Sequence, residues 1–272
     1  MDLPMPEDRS YLAALADGVL TVSFNRPEQG NAMVTHMVPP LAALFRLAQE
    51  SAAIRVVLVR GEGKYFSAGG DVAGFAATLE LDVAARREEW TGRLDRLRGL
   101  VEAVLAFEGP LVVAICGPVA GVAMTFPLAA DHVIGDESAL FVFAHLGIGV
   151  SPDGGVSALL PMAVGERTAR SLLMTGARVK AEEALRIGLL NRLVLGEDLE
   201  AAASETVARM ARAPQRALRS AKRLVRMASS WPGGGHLVAE RDAFLDCVAD
   251  EDFREGVTAF LAKRKPDFPS AR

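Results

Sequence analysis

The sequence predicts an α/β protein that ends in a wholly helical region. Up to residue 196, short apolar runs typical of buried strands alternate with helical stretches. From residue 197 onward no strand pattern occurs, and apolar residues recur only at helical spacing. A unit of strand, glycine turn and helix start also occurs twice. We therefore expect a core over residues 1–196 and a helical oligomerisation region over residues 197–272.

Length and composition are those of an ordinary globular protein. The chain has 272 residues, of which 50% are hydrophobic and 24% charged, so it can bury a full core. Its formal net charge of −4 gives no basic footprint for nucleic acid. The two cysteines and four histidines are scattered, so we expect free thiols and no metal site. Without a targeting signal or a membrane-spanning run, a cytoplasmic protein with no membrane partner is expected.

The first elements are a strand, a loop and a helix. Alternating apolar residues predict an edge or half-buried strand over 19–24, which ends in the turn-rich loop 25–31. A helix is predicted over 41–51, because Pro39 and Pro40 fit the first turn of a helix better than its interior.

The first glycine turn follows a predicted buried strand over 56–59. Its adjacent glycines, Gly69 and Gly70, let the backbone approach a ligand because they carry no Cβ. Asp71 occupies the expected N-cap of a helix that begins at Val72. Such a turn can direct peptide N–H groups at a developing negative oxygen, although a tight turn without chemistry is the alternative.

A long helix is predicted over 83–107. Its apolar residues recur at steps of three and four, which places them on one face. Its arginines lie largely elsewhere and indicate a solvated face. The apolar face comprises Trp90, Leu94, Leu97, Val101 and Leu105.

The second glycine turn has the same construction as the first. A buried strand over 111–115 enters the turn at 116–121, and a helix of small residues follows over 122–130. Two such turns that face one pocket would supply two convergent backbone donors, which is what an oxyanion needs.

The rest of the chain is predicted as short elements separated by glycines. The glycine-rich loop 146–155 is a candidate functional segment, since such loops carry function more often than cores do. Strands are predicted over 132–134, 140–143 and 192–194. Helices are predicted over 156–164, 166–174, 180–187, 199–212, 215–227, 236–249 and 252–263, with a break at 231–235.

Short motifs, each weak alone, are spread over nearly the whole chain. They are Phe24-Asn25-Arg26-Pro27 with Asn31-Ala32, Phe66-Ser67-Ala68-Gly69-Gly70-Asp71, Gly117-Pro118-Val119-Ala120-Gly121, Ser151-Pro152-Asp153-Gly154-Gly155, Met174-Thr175-Gly176 with Ala181-Glu182-Glu183-Ala184, Gly188-Leu189-Leu190 and Phe260-Leu261-Ala262-Lys263-Arg264-Lys265. In this order and spacing they resemble the crotonase superfamily, the enoyl-CoA hydratase/isomerase group.

The resemblance implies both a fold and a chemistry. The fold would be a crotonase-like spiral of ββα repeats with C-terminal helices that form a homotrimer, and trimers often pair into hexamers. The substrate would be an acyl-CoA thioester, with coenzyme A entering as part of the substrate and no permanently bound cofactor. Two peptide N–H groups would stabilise a thioester enolate, and by position these belong to Gly70 and Val122.

The same resemblance implies where the CoA portion binds. Adenosine and pantetheine would contact residues around Arg26 and the backbone of 68–72, and Lys263 or Lys265 would lie near phosphate, in this subunit or a neighbouring one. A solvated tail is an equally good interpretation of those lysines. Separately, residues 74–90 are expected to form the wall of the acyl pocket, although no spacing there sets the chain length. The implied CoA-binding residues are Arg26, Ala68, Asp71, Val72, Lys263 and Lys265.

The chain departs from the typical hydratase at both catalytic glutamates. Those positions are aligned with Thr125 and Phe143, neither of which can activate water or protonate carbon. Asp153 remains, in a Pro-Asp-Gly-Gly context that resembles the isomerase branch. One carboxylate suffices for a 1,3-proton shift, in which it takes a proton from C2 and returns it at C4 while the oxyanion hole holds the dienolate.

Alternatives remain open for the two candidate side chains. Asp153 could instead be the N-cap of the helix that follows it. His145 could line the pocket, but a satisfied structural histidine is the favoured interpretation.

Three functions compete on this evidence. The favoured hypothesis is an enoyl-CoA isomerase with Asp153 as the proton carrier. The others are an enoyl-CoA hydratase of fatty-acid β-oxidation that uses other groups, and a catalytically silent CoA-ester-binding protein.

Overall fold

The computed structural model describes residues 1–228 and 234–271. Its strands are β1 (Tyr11–Ala16), β2 (Val19–Phe24), β3 (Val56–Gly61), β4 (Leu111–Ile115), β5 (Pro118–Ala120), β6 (His132–Asp136), β7 (Leu140–Val142), β8 (Arg178–Lys180) and β9 (Arg192–Val194). Its α-helices are α1 (Val38–Glu50), α2 (Val72–Ala76), α3 (Val83–Ala106), α4 (Thr125–Ala129), α5 (Val156–Val164), α6 (Glu166–Thr175), α7 (Ala181–Ile187), α8 (Leu199–Ala211), α9 (Gln215–Ala228), α10 (Gly234–Val248) and α11 (Glu251–Leu261).

The strands form a large and a small sheet. The large sheet has the order β1-β2-β3-β4-β6-β9; β1 pairs antiparallel with β2, and the other neighbours pair parallel. The small sheet has the order β5-β7-β8. Since β3 and β4 are parallel neighbours, the glycine turns that follow them emerge at the same edge of the sheet. This topology brings together two turns that are about fifty residues apart in sequence.

The strand predicted over 19–24 is confirmed, but the prediction that it could lie at the edge is wrong. β1, which was not predicted, pairs along its whole length and forms the edge. Its sequence is rich in alanine and lacks β-branched residues, so it carries little strand propensity. Asp17 and Gly18 connect the strands with φ values of +51° and +79°, typical of the Asp-Gly hairpin turn. The Asp17-Gly18 dipeptide was therefore the sequence signal for the hairpin that contains β1.

The prediction of one apolar face on α3 is only partly correct. Leu94 is 45% exposed, and Trp90 and Val101 are half-buried. The stripe borders an open cavity along part of its length, and helical periodicity is the same for a core face and a cavity wall. The buried residues of α3 are Leu97, Leu100, Ala103 and Val104.

Helices cover both faces of the large sheet. Residues of α1, α3 and α4 pack with one face in the main hydrophobic cluster. On the other face, α8 packs through Ala202, Ala203 and Val207. Small side chains let this helix approach the sheet closely. Although α8 lies within the predicted region 197–272, it packs on strands of the region 1–196, and the division at residue 196 stays a prediction.

The last helices present apolar side chains to solvent. Part of the predicted break at 231–235 lies outside the described residues. In the ranges 1–228 and 234–271, no helix has the length and hydropathy needed to cross a bilayer, and no cluster of His, Cys, Asp or Glu is arranged to hold a metal ion. The exposed apolar residues of α10 and α11 are Leu237, Val238, Phe244, Leu245, Val248, Phe253, Val257 and Leu261.

Candidate active site

The two glycine turns pack directly against each other. A parallel bridge joins Ser67 to Val119, with hydrogen bonds from Ser67 N to Pro118 O and from Ala120 N to Ser67 O, both 3.1 Å. Gly69 has φ +91°, and a Cβ there would lie 2.7 Å from the carbonyl oxygen of Ala120. This close backbone approach therefore requires glycine.

The predicted oxyanion donors lie on these adjacent turns. The amides that flank Gly70 are engaged, because Gly69 N donates to Ser67 Oγ (3.2 Å) and Asp71 N donates to Met33 O (3.1 Å). Within the described part of the chain, the amide of Gly70 has no such acceptor. Val122 lies in the first turn of the 3-10 helix Gly121–Met124, where N–H groups lack intrahelical acceptors. The Gly70 amide thus has no backbone acceptor among the described residues, and the Val122 amide lies at a helix start.

Asn31 and Ser67 hold the first turn in place, a role that the sequence analysis did not assign. Asn31 Nδ2 donates to the carbonyls of Glu62 (2.9 Å) and Tyr65 (2.6 Å). Ser67 is buried, and its hydroxyl donates to Asn31 O at 2.8 Å. Asn31 has φ +55°, which asparagine tolerates better than most residues. Asn31 belongs to the Asn31-Ala32 motif, which was the sequence feature that could have indicated this structural role.

The loop that carries Asp153 rests on the second glycine turn. Thr125 Oγ1 donates a 2.7 Å hydrogen bond to Gly154 O. Gly154 has φ +59°, and a Cβ there would lie 2.6 Å from Thr125 Oγ1 and 3.3 Å from Val122 Cα. Asp153 therefore lies one residue before a glycine that is hydrogen-bonded to Thr125 and packs closely against the segment of Val122.

The alternative role of Asp153 as a helix cap is wrong. The N-cap of α5 is Gly155, and no side chain caps this helix. The Asp153 carboxylate instead contacts a histidine, with Oδ1 3.2 Å from His145 Nε2. Its side chain is 34% exposed. The carboxylate is therefore not used to complete the helix.

His145 is buried, but it is not the satisfied structural histidine that was favoured. Its residue exposure is 6%, and its Nδ1 has no hydrogen-bond partner among the described residues. It lies behind Asp153 rather than among the residues that line the cavity. Phe143, two residues earlier, is buried in the main core.

Asp153 lies in the wall of a cavity of about 730 Å³ between α3 and the loop 150–155. The α3 side of the wall is mainly apolar, with Arg98 and Glu102 as its charged residues. The Glu102 side chain is 70% exposed and lies 3.8 Å from Arg98, so it occupies the rim. The apolar residues of the α3 wall are Trp90, Leu94, Leu97 and Val101.

An aromatic pair connects this cavity to the first glycine turn. The rings of Phe75 and Trp90 meet edge to face, with centroids 4.7 Å apart. Phe75 also lies over Gly70, where a Cβ would come within 2.8 Å of the phenyl Cζ. Trp90 Nε1 donates to Thr78 Oγ1 at 3.3 Å. Of the predicted wall 74–90, Trp90 lines the cavity, and the rest of the α3 wall comes from the following turns.

The predicted CoA-binding residues fall into two separate groups. Arg26 Nη1 donates to Ala32 O (2.8 Å) and lies 3.8 Å from Asp71 Oδ2, while Ala68 and Val72 are exposed nearby in sequence. The exposed Lys263 and Lys265 follow α11 in the C-terminal helical region. Between them, Arg264 pairs with Glu255 through both guanidinium Nη atoms.

Comparisons with known proteins agree with this architecture. A family model described as enoyl-CoA hydratase/isomerase matches residues 15–271. The 1,2-epoxyphenylacetyl-CoA isomerase of Escherichia coli is 32% identical over 264 residues, 94% of this chain and 97% of its own. The 2,3-dehydroadipyl-CoA hydratase of the same organism is 30% identical over 251 residues, 92% of this chain and 94% of its own. An enoyl-CoA hydratase structure from Bacillus anthracis superposes with a TM-score of 0.88 at 27% identity, covering 96% of this chain and 99% of its own.

Proposed function

Because this chain belongs to the enoyl-CoA hydratase/isomerase family and has the crotonase fold, as its motifs predicted, we propose that it shifts the double bond of an enoyl-CoA thioester. Membership makes the chain an enzyme of this family, whereas the choice of isomerisation is our proposal. In the proposed isomerisation Asp153 carries the proton, and the amides of Gly70 and Val122 bind the thioester oxygen.

The proposed reaction is a 1,3-proton transfer. The Asp153 carboxylate removes a proton from C2 of a 3-enoyl thioester, and the C–H electron pair delocalises onto the carbonyl oxygen to give a dienolate. The two amides donate to that oxygen, where fixed dipoles stabilise charge without reorganisation. The protonated Asp153 then returns the proton at C4, the double bond moves to C2–C3, and the carboxylate is regenerated.

The close approach of Gly154 to the segment of Val122 carries this proposal, since a Cβ on Gly154 would lie 3.3 Å from Val122 Cα. It supports a position for Asp153 near the proposed amide donor, in the wall of a cavity whose α3 side is mainly apolar. Thr125 stands at the position where the resemblance predicts a hydratase glutamate, and its hydroxyl is occupied by Gly154 O. With Asp153 as the carboxylate nearest the proposed donors, proton transfer within the substrate is favoured over the addition of water.

Replacement of Asp153 tests the proposal. The variant Asp153→Asn should lower kcat for 3-enoyl to 2-enoyl conversion by about 10²- to 10⁴-fold, since positioned acid–base groups contribute this much. Its affinity for a CoA thioester, measured by calorimetry, should stay near that of the wild type. Asp8→Asn is a matched control, because Asp8 also contacts a histidine, His36, but at the exposed surface. Retained turnover in Asp153→Asn would refute the proposal.

Hydration is the second candidate, because Glu102 also lines the cavity. A rim carboxylate together with Asp153 would supply the two groups that water addition needs. Incubation of the wild type with a 2-enoyl-CoA distinguishes the reactions, since a hydratase forms the 3-hydroxyacyl product. Glu102→Gln should abolish that product if hydration is the activity and should leave isomerisation unchanged if it is not.

We also propose a homotrimer or dimer of trimers, formed through α10 and α11. Phe244 and Leu261 are 67% and 75% exposed, an unusual exposure for large apolar side chains on adjacent helices. In such an assembly Lys263 and Lys265 would reach the CoA phosphates of a neighbouring copy. Light scattering of the wild type and of Phe244→Asp tests this, because the charged variant should dissociate.

Coenzyme A would then enter and leave with each substrate, without a permanently bound cofactor. The free Cys116 and Cys247 support a reducing compartment such as the cytoplasm. Cell fractionation with an antibody against the chain tests the location.

A further inference from the structure

The contact between His145 and Asp153 joins a buried imidazole to a partly exposed carboxylate. The imidazole is buried, with its Nε2 3.2 Å from Asp153 Oδ1 and its Nδ1 without a partner among the described residues. The carboxylate is more exposed, at 34% for its side chain. A buried ring thus supports, from behind, a group that faces the cavity.

The contacts of the imidazole ring select one of its two neutral tautomers when Asp153 is ionised. A proton on Nδ1 would leave a buried donor unpaired, which costs the desolvation free energy of that N–H. A bare Nε2 would set its lone pair against a carboxylate oxygen at 3.2 Å. The neutral ring with its proton on Nε2 avoids this repulsion and makes Nε2 a donor to Oδ1, while its Nδ1 is a buried acceptor without a partner among the described residues. The contact with Oδ1 therefore decides between the two neutral tautomers.

We infer that His145 is a positioning residue, which holds Asp153 Oδ1 through its Nε2–H and leaves Oδ2 as the oxygen that carries the proton. This inference rests on the proposed isomerisation. The proton passes from C2 to Oδ2 and from Oδ2 to C4, while the proton on Nε2 stays on the ring. Removal and return use the same oxygen, and the imidazole exchanges no proton with the substrate.

The hydrogen bond matters because Asp153 lies on a loop and is partly exposed. Without the Nε2–H donor, the carboxylate can rotate towards water, and fewer enzyme molecules hold it beside C2 and C4 at any moment. A hydrogen bond to a charged group is strong enough for its loss to change a rate by about 10- to 100-fold. Substrate binding depends on other residues, so the change should appear in kcat.

Three variants of His145 distinguish hydrogen-bond donation to Asp153 from the packing of the ring. His145→Gln can place an amide nitrogen near the Nε2 position, His145→Asn is one methylene too short, and His145→Phe keeps a ring without a donor. We expect kcat to fall about 10- to 100-fold in the Asn and Phe variants with KM within about twofold of the wild type. His145→Gln should recover most of the wild-type kcat. Wild-type kcat in His145→Phe would overturn the inference, as would equal losses in the Gln and Asn variants.

A spectroscopic readout is independent of turnover. In protein with ¹⁵N-labelled histidine, NMR of the wild type should show His145 protonated at Nε2 and not at Nδ1, with the signal assigned by its absence in His145→Gln. Asp153→Asn should shift the Nε2 signal. A proton on Nδ1 would overturn the inference. If the wild type isomerises no 3-enoyl thioester, the proposed function fails, and this spectrum still decides whether His145 donates to Asp153.

Discussion

Thr125 Oγ1 donates a 2.7 Å hydrogen bond to the backbone carbonyl of Gly154, and this bond connects the two halves of the candidate active site. Thr125 begins α4, directly after the 3-10 helix that contains Val122, and Gly154 follows Asp153. Thr125 is fully buried, so water does not compete for its hydroxyl. The bond therefore helps to set the position of Asp153, the proposed proton carrier, relative to Val122, the proposed oxyanion donor.

Replacement of Gly154 should damage catalysis through Thr125 and Val122. At φ +59°, the Cβ of Gly154→Ala would lie 2.6 Å from Thr125 Oγ1 and 3.3 Å from Val122 Cα. We expect kcat to fall at least about 10-fold, because small displacements of catalytic groups are costly. The free energy of unfolding, measured with urea, should fall by about 1–3 kcal/mol. In a Thr125→Ala background the hydroxyl is absent, so Gly154→Ala should lower kcat and the free energy of unfolding by less than it does in the wild type.

Gly147→Ala is the control for this pair. Gly147 lies in the same loop region, and a Cβ there would meet nothing within 4 Å. Both kcat and stability should remain near those of the wild type. Strict additivity of the Gly154 and Thr125 substitutions would show that the hydroxyl contact does not transmit the damage.

Trp90 should control the size of the acyl group. Its indole lines the cavity and contacts Phe75, which in turn lies over Gly70. Trp90→Ala should enlarge the cavity and loosen Phe75, so kcat/KM for a short enoyl thioester should fall about 10-fold while the ratio for long over short chains rises. Trp90→Phe, which keeps an aromatic ring, should change that ratio less. An unchanged chain-length profile in Trp90→Ala would place the acyl group elsewhere.

Local sequence rules predicted the glycine turns because their signals lie within a few residues. Gly69 must be glycine for its own φ and for the nearby Ala120 carbonyl, and both demands follow from a strand that turns sharply into a helix. The chemistry at Asp153 came from the family resemblance, because no spacing rule links it to Gly70. The predicted roles of these residues stay predictions until they are tested.

Contacts between distant segments were beyond the sequence. Nothing near His145 in the chain indicates that its Nδ1 is buried without a partner, since that depends on packing in three dimensions. The stripe that includes Leu94 on α3 has helical periodicity whether it faces a core or a cavity, so sequence alone could not separate the two.

Arg26 should contribute to the binding of CoA thioesters rather than to chemistry. Its guanidinium lies 3.8 Å from Asp71 beside the exposed segment that includes Ala68 and Val72. Arg26→Met should raise KM about 10-fold with kcat unchanged, because one charge-assisted contact to an anionic ligand is lost. Arg60→Met is a control, since Arg60 also pairs with a carboxylate, Glu200, on another element. A fall in kcat at constant KM would assign Arg26 to the reaction step.

Lys222 provides a test of stability that is independent of the active site. Its Nζ donates to Asp131 Oδ2 and to Gly109 O, both at 2.7 Å, and its side chain is only 7% exposed. Burial lowers the pKa of Lys222 to about 8, and this outweighs the opposing effect of Asp131. In the unfolded chain the same amine titrates near its ordinary pKa of 10.5.

Between pH 8 and 10 the unfolded chain therefore binds more protons at Lys222 than the folded chain does. Proton linkage then requires this residue's contribution to stability to rise with pH, by at most about 1.4 kcal/mol per pH unit. The free energy of unfolding of the wild type, measured with urea, should increase relative to Lys222→Met between pH 8 and 9.5. The difference between the two proteins removes the titration of other groups. A difference that stays flat would show that the paired ammonium keeps an ordinary pKa despite its burial.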